Sequence, residues 1–180
     1  MANERKFSSF AELSPQGQGS GGRHGGPPPR GRPGDAPELP PGYLAAGYFD
    51  QKNNLLKDIF VGWPEAITRS LRESRPPATK NSLRAFYTML RMAKNQFEAQ
   101  RRTPDKAMGE AKTQLYKLRT AAQYQRTRNV ISPLCQDFLA KNIDLVDRKG
   151  TDFDSFDRNF NAFVEHFQAV IAYLPERAQS

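Results

Sequence analysis

Cysteine and histidine are scarce in this chain, which has one cysteine and two histidines among its 180 residues. A lone Cys135 excludes an internal disulfide. His24 lies in a Gly/Pro-rich tract, and His166 has no histidine, cysteine or carboxylate three or four residues away with which to share a metal. We therefore predict no metal site, a structural role for His166, and a buried, unreactive thiol at Cys135.

Long apolar runs are also missing. No stretch approaches the roughly 18 consecutive apolar residues that a membrane span needs, and no basic-then-apolar leader opens the chain. A G-x-x-x-x-G-K-S/T phosphate-binding loop is absent as well, which argues against nucleotide hydrolysis. The sequence therefore predicts a cytoplasmic protein that is not an enzyme, uses no cofactor, and binds neither a membrane nor a small-molecule substrate.

Acidic residues are few in the middle of the chain. Between residues 69 and 128, fifteen Lys and Arg side chains stand against four Asp and Glu, a net charge of +11 in a chain whose total is +8. Solvated helix faces usually mix the two signs, so a segment of one sign predicts a polyanionic partner such as a nucleic acid. Two alternatives stay open: these side chains only cover solvated helix faces, or they meet an acidic protein.

Large apolar residues are nearly absent from residues 15–42, a segment rich in Gly and Pro in which Leu39 is the exception. Such a segment cannot bury enough apolar surface to fold. We therefore interpret residues 1–42 as a disordered tail. The three arginines of residues 15–42 could touch a phosphate backbone, although a solvated linker with incidental arginines is the alternative.

Prolines and capping residues mark the starts of six predicted helices after the tail. Residues 43–78 carry two short helices, one capped by Asp50 and running to Phe60, and one restarted at Trp63-Pro64. Residues 79–180 form the predicted core bundle of four longer helices. Those four begin at Thr79, Thr103-Pro104, Ser132-Pro133 and Phe153.

The last of these helices carries an aromatic stripe. Its apolar residues recur at steps of three and four, the spacing of one helix face, at Phe153, Phe156, Phe160, Phe163, Phe167, Val170 and Leu174. Burying a Phe contributes roughly 1.5–3 kcal/mol, so this face must pack against other helices. No segment shows the period-two alternation of a strand. The sequence predicts an all-α fold, a compact bundle of about five or six helices with the Phe stripe as its spine.

Basic residues flank the apolar stripes of the two central helices. The helix that begins at Thr79 places on one arc, beside its apolar stripe, Lys80, Arg84, Arg91 and Lys94. The next helix contributes Lys117, Arg119, Tyr124, Arg126 and Arg128. Cations held in register on rigid helices can neutralise successive phosphates without reading a base, and a tyrosine can add stacking. We predict one basic face that binds nucleic acid.

Three stretches carry a family resemblance. The ending FNAFVEHFQAVIAYL matches an aromatic C-terminal helix at Phe163, Phe167, Ala169, Val170, Ile171, Ala172 and Tyr173. TKNSLRAFYTML matches a Thr/Ser-rich helix start followed by an apolar-Arg pair, here Leu83 and Arg84. LYKLRTAAQYQRTR, from Leu115 to Arg128, matches a central basic helix. Over about residues 79–174 the chain resembles the small α-helical subunit of type III-A (Csm-type) CRISPR interference complexes.

The resemblance implies a non-catalytic subunit whose partners are guide RNA, target RNA, other subunits of the effector complex and further copies of itself. It places the family's basic contact positions at Arg84, Lys117, Arg119, Arg126 and Arg128, with Lys80, Arg91 and Lys94 extending the patch. Guide–target pairing would carry sequence recognition while the protein grips the backbone. The alternative is a helical adaptor protein that binds acidic protein partners rather than nucleic acid.

Overall fold

The chain folds into five α-helices and one 3-10 turn within residues 36–175, which are the residues that the computed structural model describes. The helices are α1 (Gly62–Glu73), α2 (Lys80–Ala99), α3 (Pro104–Thr127), α4 (Pro133–Lys149) and α5 (Phe153–Tyr173), and the 3-10 turn is Lys57–Ile59. Extended pairing in this range is limited to an isolated bridge between Phe49 and Leu55. The predicted all-α bundle is confirmed. Most of the predicted tail, residues 1–35, lies outside the described residues.

Local capping chemistry sets the starts of the long helices. The Thr79 side chain accepts from the Ser82 backbone N–H at 3.1 Å, and the Ser82 hydroxyl accepts from the Thr79 N–H in return. Ser132 accepts from the Cys135 N–H at 3.2 Å ahead of α4. These caps satisfy backbone donors that a helix start leaves without partners, so the predicted starts of α2 and α4 are confirmed. None of the helices described between residues 36 and 175 is long and apolar enough to cross a membrane.

The predicted helix from Asp50 to Phe60 is wrong. The Asp50 carboxylate accepts from the backbone N–H groups of Lys52 and Asn54, both at 2.8 Å, which closes a tight turn. Asn53 has a φ of 71°, a left-handed conformation that asparagine tolerates well. An aspartate that can cap a helix can equally bond its own following backbone, and here the turn is the outcome.

The Phe stripe of α5 forms the centre of the bundle, where α5 contacts each of the other four helices. Four of its phenylalanines are 0% exposed: Phe156, Phe160, Phe163 and Phe167. The Phe97 ring of α2 lies 5.0 Å from the Phe153 ring and 6.0 Å from the Phe160 ring, and the Phe138 ring of α4 lies 5.3 Å from that of Phe167. The predicted spine of the bundle is confirmed.

A buried hydrogen-bond network ties the segment before α1 to the bundle. The Tyr48 hydroxyl donates to Asn142 Oδ1 at 2.7 Å, and Asn142 Nδ2 donates to the Tyr43 hydroxyl oxygen at 2.7 Å. His166 donates from Nδ1 to the Ile59 carbonyl at 2.7 Å, so its Nε2 accepts from the Tyr43 hydroxyl at 2.8 Å. Each of these side-chain polar groups in the buried network thus has a hydrogen-bond partner, as burial requires.

Burial determines the charge state of two side chains that the sequence singles out. It lowers the pKa of His166 to about 4, so the ring is neutral at neutral pH. It also raises the pKa of the Cys135 thiol to about 12, which keeps that group protonated at neutral pH. The structural role predicted for His166 and the burial predicted for Cys135 are both confirmed, and the low reactivity of the thiol stays a prediction.

Candidate nucleic-acid interface

Three predicted contact residues follow one another along α2. Lys80, Arg84 and Arg91 lie within about 40° of one another around the helix, since each residue advances by about 100°. Arg84 and Arg91 are exposed and Lys80 is half-buried. Their Cα atoms span about 16 Å along the helix axis at about 1.5 Å per residue. We call these three residues the α2 row.

Lys94 does not share the exposed α2 row. Its Nζ lies 2.6 Å from Asp157 Oδ1 of α5 and 2.6 Å from Glu98 Oε1, and the residue is 7% exposed. The same ammonium lies 4.8 Å from the centroid of the Phe97 ring. Helical geometry explains the difference, because Lys94 points about 60° away from Arg91, toward α5. Its positive charge stabilises the contact between α2 and α5.

The basic side chains of α3 lie on two sides of that helix, and one side faces α4. Lys112 Nζ lies 3.0 Å from Asp147 Oδ1, and Arg119 forms an ion pair with Asp144. Arg126 donates from Nη1 to Gln136 Oε1 at 2.6 Å. Two of the predicted contact residues, Arg119 and Arg126, therefore join α3 to α4 through their polar ends.

The other side of α3 faces solvent and carries Lys117, Tyr124 and Arg128, which we call the α3 outer face. Lys117 and Arg128 are exposed, and Tyr124 is 58% exposed. The Arg128 guanidinium lies 5.5 Å from the centroid of the Tyr124 ring, a cation–π contact that holds the two together. Within residues 36–175, Lys117 has no carboxylate within ion-pair distance. Among the described residues, therefore, no carboxylate neutralises the positive charge of the α3 outer face.

A row of threonines on the same side of α3 was missed by the sequence analysis. Thr113, Thr120 and Thr127 recur at steps of seven, and each hydroxyl donates at 3.0 Å to the carbonyl four residues earlier. Their oxygens keep lone pairs that can accept a hydrogen bond, for example from a ribose 2′-hydroxyl. The seven-residue spacing is the sequence signal that could have placed them on one face.

The nine predicted contact residues are therefore divided among three surroundings instead of one face. Arg84, Arg91 and the α3 outer face are exposed, Lys80 is half-buried, Arg119 and Arg126 face α4, and Lys94 is buried against α5. The described residues contain no group of three or more His, Cys, Asp or Glu that could hold a metal ion. What the exposed groups offer chemically is positive charge, hydroxyl oxygens and one aromatic ring.

Comparison of the sequence with known protein families finds one matching family model. The family model described as Csm2 Type III-A matches residues 60–175, which is more than half of the chain. That range covers α1 to α5 and leaves out the segment that contributes Tyr43 and Tyr48 to the buried network. No curated protein and no solved structure matches the chain.

Proposed function

Because the chain belongs to the Csm2 type III-A family, the small structural subunit of the type III-A CRISPR complex, we propose that it binds RNA within that complex. It is a non-catalytic binding and assembly subunit that contacts the backbone of guide or target RNA. Its partners are those RNAs, the other subunits of the effector complex and further copies of itself, and it works in the cytoplasm. Base pairing between guide and target carries the sequence recognition.

The observation that carries this proposal is the positive charge of the α3 outer face. Lys117 and Arg128 are exposed on a rigid helix, and Tyr124 stands between them. Because the helix backbone is already ordered, a phosphate contact costs only the rotamer freedom of the cationic side chain, about 0.5–1.5 kcal/mol. The α2 row supplies three more cations on the neighbouring helix.

These exposed side chains can bind a nucleic-acid backbone without recognising particular bases. Lys and Arg side chains at an exposed helix surface meet phosphates and release the counterions condensed on the RNA. The Tyr124 ring can stack on any base, because every base has a π-face. Acceptor oxygens of the threonine row can take a hydrogen bond from the 2′-hydroxyl, which is the group that distinguishes RNA from DNA.

A salt titration of RNA binding tests the proposal. We expect the affinity of the full chain for a single-stranded RNA to fall steeply with salt, and the double variant Lys117→Gln/Arg128→Gln to lower it about tenfold. The slope of log K against log salt should also become shallower by about 1.4, since each lost phosphate contact removes about 0.7. Fluorescence anisotropy at several salt concentrations measures both quantities.

The matched control is Lys52→Gln/Lys57→Gln, which removes the same charge from two exposed positions before α1 that belong to neither surface. It should change the affinity less than twofold. An affinity that does not depend on salt would contradict RNA binding altogether. Equal effects of the two double variants would contradict the assignment to the α3 outer face.

A second candidate function is a helical adaptor that binds protein partners, and exposed methionines on α2 favour it. Met92 is 66% exposed and Met89 is 40% exposed, and flexible thioether side chains at a surface often serve protein contacts. Treating the assembled complex with RNase separates the two functions. Retention of this subunit after complete RNA removal supports the adaptor, and its release supports RNA binding.

A further inference from the structure

Tyr124 carries the most exposed aromatic ring of residues 36–175, with 58% of the residue open to solvent. Within that range its hydroxyl makes no hydrogen bond, and the one charged group over its ring is the Arg128 guanidinium, 5.5 Å from the centroid. A ring that neither fills the core nor bonds through its hydroxyl contributes little to the packing of the bundle. Its large apolar surface is therefore available to a ligand.

The ring stands between the two cations of the α3 outer face. At about 100° and 1.5 Å per residue, Lys117, Tyr124 and Arg128 lie within about 40° of one another around α3. The Cα atom of Tyr124 lies about 10 Å beyond that of Lys117 and about 6 Å before that of Arg128, measured along the helix axis. A strand whose phosphates meet both cations therefore passes over the ring.

A second exposed tyrosine of α3 lies in different electrostatic surroundings. Tyr116 is 46% exposed, but burial and the neighbouring Asp147 carboxylate raise its pKa. A phosphate that approaches Tyr116 meets that carboxylate, whereas a phosphate that approaches Tyr124 meets the Arg128 guanidinium. The charges beside the two rings therefore favour RNA at Tyr124 and disfavour it at Tyr116.

We propose that the Tyr124 ring stacks on one unpaired base of an RNA strand whose phosphates lie on Lys117 and Arg128. This inference rests on the proposed RNA binding and adds the form of RNA that the α3 outer face accepts. The Arg128 guanidinium covers one face of the ring and leaves the opposite face for a base. Bases inside a duplex are already stacked on their neighbours, so a duplex has no internal base to offer the ring.

The test compares binding of a single-stranded RNA and of a duplex of the same sequence to the full chain. Tyr124→Leu removes the ring but keeps an apolar side chain, and we expect it to weaken single-strand binding about tenfold and duplex binding less than twofold. Tyr124→Phe keeps the ring and should leave both affinities within twofold of the wild type. Tyr116→Leu, the matched change at the other exposed tyrosine of α3, should also leave both within twofold.

Two further measurements separate stacking from charge. Tyr124→Leu removes no charge, so it should lower the affinity without changing the slope of log K against log salt, whereas Lys117→Gln/Arg128→Gln makes that slope shallower. A strand of abasic ribonucleotides keeps the phosphates and lacks the partner of the ring. The wild type should bind this strand about tenfold more weakly than the strand with bases, and Tyr124→Leu should weaken its binding less than twofold further.

Equal losses for the single strand and the duplex, an equal loss with Tyr116→Leu, or equal wild-type affinities for the strands with and without bases would overturn the stacking proposal. The two proposals fail in different ways. If the wild-type chain shows no salt-dependent RNA binding, the function proposed above fails and the stacking fails with it. If Lys117→Gln/Arg128→Gln weakens single-strand binding while Tyr124→Leu does not, RNA binding stands and the stacking alone is refuted.

Discussion

Lowering the pH from 7 to 5 should destabilise the bundle through His166. The ring is buried among Tyr43, Tyr48 and Phe138, and its two nitrogens are engaged with the Ile59 carbonyl and the Tyr43 hydroxyl. Burial lowers its pKa from 6.5 to about 4, because a charged imidazolium would lose its hydration. A proton on Nε2 would also remove the acceptor that the Tyr43 hydroxyl uses.

The size of the effect follows from the two pKa values. Between pH 6.5 and pH 4 the unfolded chain binds a proton at this position and the folded chain does not, so the free energy of unfolding falls as the pH falls. The loss attributable to His166 is about 2 kcal/mol between pH 7 and pH 5, and it approaches about 3 kcal/mol below pH 4.

Urea unfolding at pH 7, 6 and 5, followed by circular dichroism, measures this loss. The comparison is His166→Gln, which cannot take up the proton, while the carboxylates contribute equally to both proteins. The wild type should lose about 2 kcal/mol more than the variant between pH 7 and pH 5. Equal losses would refute the reasoning. So would an NMR titration of the folded wild type in which the His166 ring titrates near 6.5.

Two further predictions concern the packing of α5. Asp157→Asn should lower the free energy of unfolding by about 1.5–3 kcal/mol, because it removes a charged partner from buried Lys94. Urea unfolding measures this loss. An unchanged free energy of unfolding would contradict the stabilising role of the ion pair. Phe160→Ala should lower it by about 3–5 kcal/mol through the cavity it leaves. The same truncation at Phe60, which is 38% exposed, should cost less than 1 kcal/mol, and equal costs would contradict the central position of the α5 stripe.

Local chemistry made much of the fold predictable from the sequence. The Thr79 and Ser132 caps act on backbone groups three residues away, and the Phe stripe follows the helical repeat, so neighbouring residues suffice to predict them. Asp50 shows where that reasoning fails. The same carboxylate can start a helix or close a turn, and the choice depends on Phe49 pairing with Leu55 and on packing that local sequence does not contain.

The candidate site was less predictable because its charges are set by partners distant in sequence. Helical spacing identified the basic edges of α2 and α3, but it could not show that Asp157 would meet Lys94 or that Asp144 would meet Arg119.

These pairings also limit how strongly RNA binding can depend on salt. Of the fifteen cations between residues 69 and 128, six form ion pairs with carboxylates of residues 36–175: Arg69, Lys94, Arg101, Lys106, Lys112 and Arg119. If each of the other nine met a phosphate, the slope of log K against log salt would be about −6 for a single strand.

The slope also distinguishes the ways in which RNA can lie on the protein. A strand that follows the α2 row meets at most Lys80, Arg84 and Arg91, which corresponds to a slope of about −2. Adding Lys117 and Arg128 brings the slope to about −3.5, because the α3 outer face must then be engaged at the same time. A slope near −2 that Lys117→Gln/Arg128→Gln does not change would therefore mean that the RNA follows α2 alone, and that the α3 outer face serves another partner.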